Sequence, residues 1–415
     1  MAAAAWLDGL RYGALGLPLA FVALPLYVVL PNHYATEYGV PLAVLGALLL
    51  GARLFDAVVD PWIGRWVDAW FCLPHARLMG IAMAAAGVLA IGFRGLFFPA
   101  VQGGAALLWW CAALLAVTYL SYSVLSVVHQ AWGARLGGDE SQRARIVSWR
   151  EGLALIGVLV ASVLPAVAGL GAASIVFAIA LALGITLLWH APRPPAARPS
   201  QERQLMSEPL RTPAFRGLLL VYLVNGVASA VPATLVLFFI RDRLQAQAFE
   251  PLFLASYFAA GALSMPLWVR AVGRFGLAPT WLAGMLLAIA TFAWAALLGT
   301  GDVLAFTAVC VASGLALGAD LALPSALLAG VIQRAGHAGR LEGSYFGWWN
   351  FATKLNLALA AGIALPALDA LGYRPGSRGP GALQALTLAY CVLPCLLKCA
   401  AATLLYTRWI RRAQT

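Results

Sequence analysis

Two aspartates stand four residues apart inside an apolar stretch of the chain. Asp56 and Asp60 lie between Leu42 and Ile63, where Arg53 is the one other charged residue. Residues i and i+4 of a helix share a face, so both carboxylates point the same way. A carboxylate at the centre of a membrane helix costs about 2.5–3.5 kcal/mol on insertion scales, so the pair must face a protein interior or a water-filled cavity. Their oxygen atoms suit a small cation, and we predict a site for Na⁺ or H⁺ here.

Arg53 offers a simpler interpretation of one acid. It stands three residues before Asp56 and would neutralise that carboxylate. This interpretation leaves Asp60 unexplained, and acidic residues within a membrane are functional by default. We therefore predict that Asp56 and Asp60 bind the cation and that Arg53 helps to balance their charge.

Lys354 is a second charged residue at membrane depth. In the segment from Tyr345 to Leu371 the only other charge is Asp369, near the far end. A buried ammonium needs a carboxylate or carbonyl partner. In a bundle of two halves this segment can approach the aspartates across a central cavity, so we predict that Lys354 pairs with Asp56 or Asp60. The alternative is a lysine that extends its ammonium to the membrane interface.

Two further charged residues lie in apolar segments of the second half. Lys398 stands near the end of the last segment, and we expect its ammonium to extend to the interface. Asp320 precedes Pro324 by four residues. A structural role, as a partner for loop or helix groups that the proline frees, is as good an interpretation of Asp320 as a functional role.

The composition is that of a polytopic membrane protein. Of 415 residues, 62% are hydrophobic and 10% are charged, and the mean hydropathy is +0.86. Twelve apolar segments are each long enough to cross a hydrocarbon core of about 30 Å as a helix. They cover residues 9–31, 41–65, 78–98, 105–134, 146–169, 172–192, 215–240, 249–270, 277–299, 302–333, 343–371 and 381–407. The sequence therefore predicts an all-α membrane protein with twelve transmembrane helices in a lipid bilayer.

The positions of the basic residues predict the orientation. With the N terminus in the cytoplasm, most of the 27 Lys and Arg residues fall in cytoplasmic loops, as the positive-inside rule requires. The net charge of +11 therefore does not indicate a nucleic-acid partner. The arginine-rich and alanine-rich composition is typical of a GC-rich bacterial genome. We expect a multi-pass monomer of the cell inner membrane with both termini cytoplasmic.

A polar segment rich in proline and charge divides the twelve helices six and six. The two halves resemble one another, because Pro25 and Pro61 in the first half have counterparts in Pro232 and Pro266 at nearly the same interval. In such two-half transporters the substrate site lies near the midplane between the halves. We predict an N-terminal half at residues 1–192, a cytoplasmic linker at 193–214 and a C-terminal half at 215–415.

Two pseudo-symmetric halves of six helices resemble the major facilitator superfamily. Within that superfamily, the segment RLFDAVVDPWIG from Arg53 to Gly64 resembles a signature of the glycoside-pentoside-hexuronide:cation symporters. The resemblance covers the full length. It implies that Asp56 and Asp60 form a Na⁺, Li⁺ or H⁺ site and that Lys354 lies beside it. Further matching residues are Tyr12-Gly13, Asp139 with Arg143, Gly318 to Pro324, and Gly343 to Gly347.

The chain departs from that family where the sugar is held. The two aspartates with which the family grips a sugar fall on Ala20 and Ser126 in an ungapped alignment. Sugars are normally held by carboxylates and amides, because such pairs discriminate strongly against loss of a hydroxyl. The family's arginine early in the fifth helix is matched by Arg150, one residue off register and next to Glu151. Loss of both carboxylates favours a lipid or another amphiphile as the rival substrate class.

Other polar and aromatic residues at membrane depth complete the predicted substrate cavity. A histidine at position 129 serves either as a proton relay or substrate ligand, or as a helix-packing donor. Tryptophans at 348 and 349 would stack on a sugar ring or a lipid tail, although tryptophan is also common at membrane interfaces. The candidates are Ala20, Ser126, His129, Gln130, Arg150, Glu151, Tyr345, Trp348, Trp349 and Asn350.

We therefore predict a cation-coupled secondary transporter that moves a small organic solute, with a sugar or glycoside as one candidate, by alternating access. A non-transporting membrane sensor or an enzyme is the alternative of another class. The sequence has no nucleophile–base pair, no phosphate-binding glycine loop and no metal-binding motif. We expect no enzymatic activity and no cofactor, with Na⁺ or H⁺ as the coupling ion.

Overall fold

The computed structural model describes residues 2–195, 205–377 and 379–411, and within them every regular element is a helix. Residues 196–204 of the predicted linker lie outside this description. The long helices are α1 (Ala5–Glu37), α2 (Leu42–Trp70), α3 (His75–Phe97), α4 (Gly104–Arg135), α5 (Glu140–Trp189), α6 (Pro213–Arg243), α7 (Gln247–Phe275), α8 (Leu277–Ala295), α9 (Val303–Arg334), α10 (Glu342–Ala370) and α11 (Pro380–Ile410). A single helical turn, Glu208–Arg211, precedes α6.

Each long helix is long enough to cross a membrane. Ten of them, all but α2, have the length and apolar composition that a crossing requires. Helix α2 is an uninterrupted run of 29 residues, or about 43 Å at 1.5 Å per residue, which also exceeds the hydrocarbon core.

Helix α5 is a hairpin of two crossings. It has 50 residues and contains Gly169 at φ 78°, ψ 166°, outside helical backbone. A Cβ on Gly157 would lie 2.1 Å from the carbonyl oxygen of Leu17, and one on Gly184 would lie 3.0 Å from the Cα of Leu15. In a straight helix the two glycines would be about 40 Å apart. Because both lie beside the same turn of α1, the chain must reverse at Gly169.

With this reversal, the eleven helices account for the twelve predicted crossings. The predicted segments 146–169 and 172–192 are the two arms of α5, and the boundary between them falls at Gly169. The prediction of an all-α membrane protein is confirmed for the described residues.

The helices form two compact units. The first consists of Met1–Arg211 with Ile332–Phe351, and the second of Thr212–Val331 with Ala352–Thr415. The end of α9 and the first turns of α10 therefore pack with the first unit. These units are defined by packing, whereas the predicted division at 1–192, 193–214 and 215–415 describes a sequence repeat, so that division stays a prediction.

Aromatic clusters hold each unit together. In the first unit Phe177 of α5 packs on Phe21 of α1 and Phe93 of α3, with ring centroids 5.6 and 4.7 Å away. In the second unit Phe239 of α6 stacks on Tyr390 of α11, with centroids 4.3 Å apart. Between membrane helices the gain comes from van der Waals packing, since lipid is as apolar as these rings. These contacts fix the helices that carry the polar side chains described next.

Candidate functional site

The predicted acids share one buried face of α2. Asp56 is 4% exposed and Asp60 is fully buried, whereas Leu54 and Val58, on other faces of the same turns, are 54% and 51% exposed. The helix thus turns its aliphatic side chains outward and its carboxylates into the protein. This orientation follows from the four-residue spacing, which keeps both acids on one side of the helix.

A serine from α4 contacts the first acid. The hydroxyl of Ser123 donates to Oδ1 of Asp56 over 2.8 Å, and Ser123 is 1% exposed. Sequence analysis placed Ser126 of this helix in the substrate cavity and did not identify Ser123, because a serine in an apolar helix gives little indication of its direction. Carboxylate and hydroxyl oxygens are the donors that hard cations prefer.

The predicted charge-balancing residues lie in different units. The guanidinium of Arg53 sits 3.8 Å from the centre of the Tyr27 ring, a cation–π geometry. Lys354 is partly buried on the part of α10 that belongs to the second unit. Its pairing with Asp56 or Asp60 stays a prediction.

His129 joins α4 to α1. Its Nε2 lies 2.7 Å from the carbonyl oxygen of Tyr12, and the Tyr12 hydroxyl donates to the carbonyl oxygen of His129 over 3.0 Å. A carbonyl only accepts, so Nε2 must carry the proton. This reciprocal pair is the helix-packing arrangement that sequence analysis weighed against a relay or ligand role.

The neighbouring candidates form short local contacts. Gln130 donates to the Ser126 hydroxyl over 3.3 Å. The guanidinium of Arg150 donates from Nε and Nη2 to Oε1 of Glu151, over 2.9 and 2.7 Å. Ala20 is partly buried on α1. Arg150, which the family resemblance matches to an arginine early in the fifth helix, therefore has a carboxylate partner at the adjacent residue of its own helix.

The aromatic candidates lie at the start of α10, in the first unit. The Trp348 indole donates to the carbonyl oxygen of Met206 over 2.9 Å, and Tyr345 is buried with its hydroxyl 2.8 Å from Nδ1 of His337. Trp349 and Asn350 are also buried, at 3% and 8% exposure. Their role in a substrate cavity stays a prediction.

A buried charge cluster, missed by sequence analysis, joins α2, α4 and the start of α10. Asp68 accepts from the backbone N–H groups of Gly343 and Ser344 over 2.7 and 2.8 Å and from the Ser344 hydroxyl over 2.7 Å. Arg135 of α4 lies 3.3 Å from Asp68 and 3.1 Å from Glu342. A carboxylate at a helix N-terminus satisfies orphan N–H groups and complements the helix dipole. We name Asp68, Arg135, Glu342, Gly343 and Ser344 the latch.

Glycines allow α2 and α10 to approach closely at the latch. A Cβ on Gly64 would lie 2.3 Å from the carbonyl oxygen of Gly343, and one on Gly347 would lie 2.6 Å from the carbonyl oxygen of Asp60. Real Cβ atoms do not approach so near, so each position requires glycine for this contact. The Asp60 turn of α2 is thereby packed directly on α10.

The second unit contains a polar network that the sequence did not predict. Lys398 of α11 donates to Oδ2 of Asp320 over 2.7 Å and to Oδ1 of Asn225 over 2.9 Å. Asp320 also accepts from Asn225, Ser229 and Trp281 over 3.1, 3.2 and 2.9 Å. The expectation that Lys398 extends to the interface is wrong, because the residue is 2% exposed. Asp320 was interpreted structurally as a partner for loop or helix groups that Pro324 frees. That interpretation is also wrong, because the partners of Asp320 come from α6, α8 and α11.

Buried acidic and basic side chains lie close together in both units. Among the described residues, no group of three or more His, Cys, Asp and Glu side chains is placed to hold a metal ion. The acids on α2 are paired carboxylates within a bundle of membrane-crossing helices, as in a transport protein. Fold and site together define the class as a multi-pass membrane transporter.

Comparison with protein families identifies the family. The model of the MFS/sugar transport protein family matches residues 11–412, nearly the whole chain. The chain belongs to this family and hence to the major facilitator superfamily, and it is a transporter and not an enzyme. The search of curated proteins found no match.

Solved structures of other transporters share the fold. A bacterial homologue of the iron transporter ferroportin, in an outward-facing state, has a TM-score of 0.68 at 16% identity, over 97% of this chain and 98% of that one. The E. coli fucose:proton symporter has a TM-score of 0.64 at 14% identity, over 96% and 98%. A human organic anion transporter has a TM-score of 0.61 at 16% identity, over 96% and 99%. The predicted superfamily fold is confirmed.

Proposed function

We propose that this protein is a cation-coupled secondary transporter of the cell inner membrane, which moves a small organic solute of the sugar or glycoside class. The observation that carries the proposal is the buried pair Asp56 and Asp60 on one face of α2. Two intramembrane carboxylates are expensive to bury without a cation, a proton or a basic partner. The resemblance to glycoside-pentoside-hexuronide:cation symporters assigns the same two acids to the coupling ion.

The oxygen ligands support Na⁺ or H⁺ as that ion. Ser123 adds a hydroxyl to the Asp56 carboxylate, and hard cations are held by such oxygens. A proton would instead neutralise one carboxylate directly. Lys354, in this proposal, supplies the positive charge when the ion is absent, so that the site is never left with two uncompensated negative charges.

The latch supports alternating access. It holds the start of α10 on α2 through three hydrogen bonds to Asp68 and the charges of Arg135 and Glu342. Gly347 in the same stretch of α10 packs on the backbone of Asp60. A change of charge at Asp60 therefore acts on a helix contact that is closed here. Opening of this contact would let the two helical halves rock around a central substrate.

The sugar or glycoside class is supported by the family description, MFS/sugar transport protein. A fold neighbour is named a fucose:proton symporter, which joins sugar and proton transport in one such fold. Ala20 and Ser126 stand where the resembling family has its sugar-binding aspartates, so we expect weak binding of melibiose or none. A substrate with fewer charged contacts fits these positions better.

The second candidate is transport of an amphiphile. It is favoured by the same two positions and by an apolar cavity in the second unit, whose lining includes the Asp320 and Lys398 pair. Both candidates use the same cation site.

Purified protein in liposomes tests the proposal. Imposed inward gradients of Na⁺, Li⁺ or H⁺ should drive accumulation of at least one member of a panel of labelled glycosides and lysophospholipids. Asp60→Asn keeps the size of the side chain and removes its charge, and it should abolish this accumulation while the protein remains folded. Asp8→Asn, at a partly exposed acid paired with Arg11, is the matched control and should transport normally.

The outcomes are separable. Accumulation of a lysophospholipid and of no glycoside would select the amphiphile. If the Asp60→Asn variant accumulates substrate as well as the wild-type protein does, Asp60 has no role in coupling. Equilibration without accumulation under every gradient would overturn cation coupling itself.

A further inference from the structure

The ion pair of Asp320 and Lys398 in the second unit can form one more hydrogen bond, from the lysine ammonium. The Asp320 carboxylate accepts four hydrogen bonds, two at each oxygen. Lys398 and Asp320 form a salt bridge in which Nζ lies 2.7 Å from Oδ2. An ammonium has three N–H groups, and within the described part of the chain two of them are used, by Asp320 and Asn225.

A cavity lies beside this pair. Its volume is about 150 Å³, and both Asp320 and Lys398 belong to its lining. The walls come from α6, α7, α8, α9 and α11, all within the second unit. Most wall side chains are apolar or aromatic; the aromatic ones are Phe253, Tyr257, Phe258, Phe292 and Tyr390.

The lining of the cavity combines many apolar groups with one ion pair. Five aromatic rings surround a space with an ion pair in its lining. Water is held stably only where it finds two to four polar partners, so the aromatic part of such a cavity is better suited to an apolar group. An apolar cavity of about this size accepts a molecule as large as benzene.

We propose that this cavity binds a small uncharged amphiphile, with an aromatic or short aliphatic body among the rings and a single acceptor oxygen on the third N–H of Lys398. Asp320 and Lys398 already cancel each other's charge. An anionic ligand would leave one uncompensated negative charge in an apolar surrounding, which is costly. A carbonyl or hydroxyl oxygen satisfies the donor and adds no charge.

This site is separate from the aspartates of α2, which lie in the first unit. Nothing in the sequence or in the family description assigns a ligand to Asp320 or Lys398. The proposal holds whether the bound molecule is carried or only modulates the carrier, and it stands independently of cation coupling.

Cys310 allows a direct test, because it lines the cavity and is 7% exposed. In a variant that keeps Cys310 and replaces the other five cysteines by alanine, methyl methanethiosulfonate should modify Cys310 slowly. Acetophenone, at about ten times its Kd, should slow the modification about tenfold. Ethylbenzene has nearly the same shape without the oxygen, and benzoate carries a charge. At matched free aqueous concentrations both should protect much less.

Two variants test whether acetophenone binds in this cavity and whether its oxygen contacts Lys398. Ala316→Phe fills the cavity from α9 and should abolish the acetophenone effect while leaving the ion pair in place. Lys398→Met combined with Asp320→Asn removes the ammonium without stranding a charge, and acetophenone should then protect no better than ethylbenzene. If the double variant does not fold, the comparison of the three probes on the parent protein decides. Equal protection by ethylbenzene, stronger protection by benzoate, or no protection by any probe would each overturn the proposal.

Discussion

Lys398 has a role that sequence analysis did not predict, whereas the role of Lys354 stays a prediction. Lys398 was expected at the interface and is instead 2.7 Å from Asp320 inside the second unit. Asn225, which accepts from Lys398, and Trp281, which donates to Asp320, lie on helices far apart in the chain. The sequence pattern of a single helix does not show which distant helices meet. Asp56 and Asp60 were predictable because their relation is local, set by 3.6 residues per helical turn.

We predict that Lys398→Ala destabilises the protein by about 3–5 kcal/mol, because the buried Asp320 loses its compensating charge. Thermal unfolding in detergent measures this. Arg241→Ala is the matched control, since Arg241 lies at the same 2.7 Å distance from Glu250 but with 47% of its side chain exposed. The control should shift the unfolding temperature little. Equal shifts in both variants would show that the buried pair contributes no more than a surface pair.

Lys354 provides a second charge test, which depends on the proposed cation site. Lys354→Ala should reduce both transport and the yield of folded protein, because it strands a buried carboxylate. Adding Asp56→Asn should recover part of the folded yield without recovering transport. Size-exclusion chromatography of tagged protein measures the yield. A double variant that is no better folded than Lys354→Ala alone would argue against pairing with Asp56.

The helices themselves were largely predictable, since twenty-residue apolar runs have few alternatives in a bilayer. Their packing was not. The close contact of Gly157 with the backbone of Leu17 depends on which face of each helix meets the other, and small residues occur on several faces. The latch was also missed, because the partners of Asp68 at positions 343 and 344 are 275 and 276 residues away in the sequence.

Gly157→Ala should destabilise the first unit by about 1–3 kcal/mol, the usual range for overpacking. An added methyl group would meet the Leu17 carbonyl oxygen at 2.1 Å, and that oxygen is backbone and cannot rotate away. Gly171→Ala, in the same helix but with nothing within 4 Å, is the control and should be neutral. Unfolding temperatures that rank the two variants in the opposite order would contradict the close packing of α1 on α5.

For the molecule as a whole, the latch is the contact whose strength should set the balance between conformations. Asp68→Asn removes the charge that Arg135 and the α10 N-terminus share, so the latched state should lose population. A cysteine introduced by Ser344→Cys, at a position now 2% exposed, reports opening through its rate of maleimide labelling. In a background free of other cysteines, Asp68→Asn should accelerate this labelling severalfold, whereas Asp8→Asn should leave it unchanged. An unchanged rate in Asp68→Asn would mean that the latch does not govern opening.

The turn at Gly169 has a consequence for how the chain is made. The residues around it, from Ala161 to Ala173, are almost all apolar, so the two arms of α5 are joined without a hydrophilic loop. During synthesis no polar stretch separates the first arm from the second as they leave the ribosome. The two arms should therefore enter the bilayer together as one unit, and a polar epitope inserted after Gly169 should disturb biogenesis more than the same epitope placed between α2 and α3.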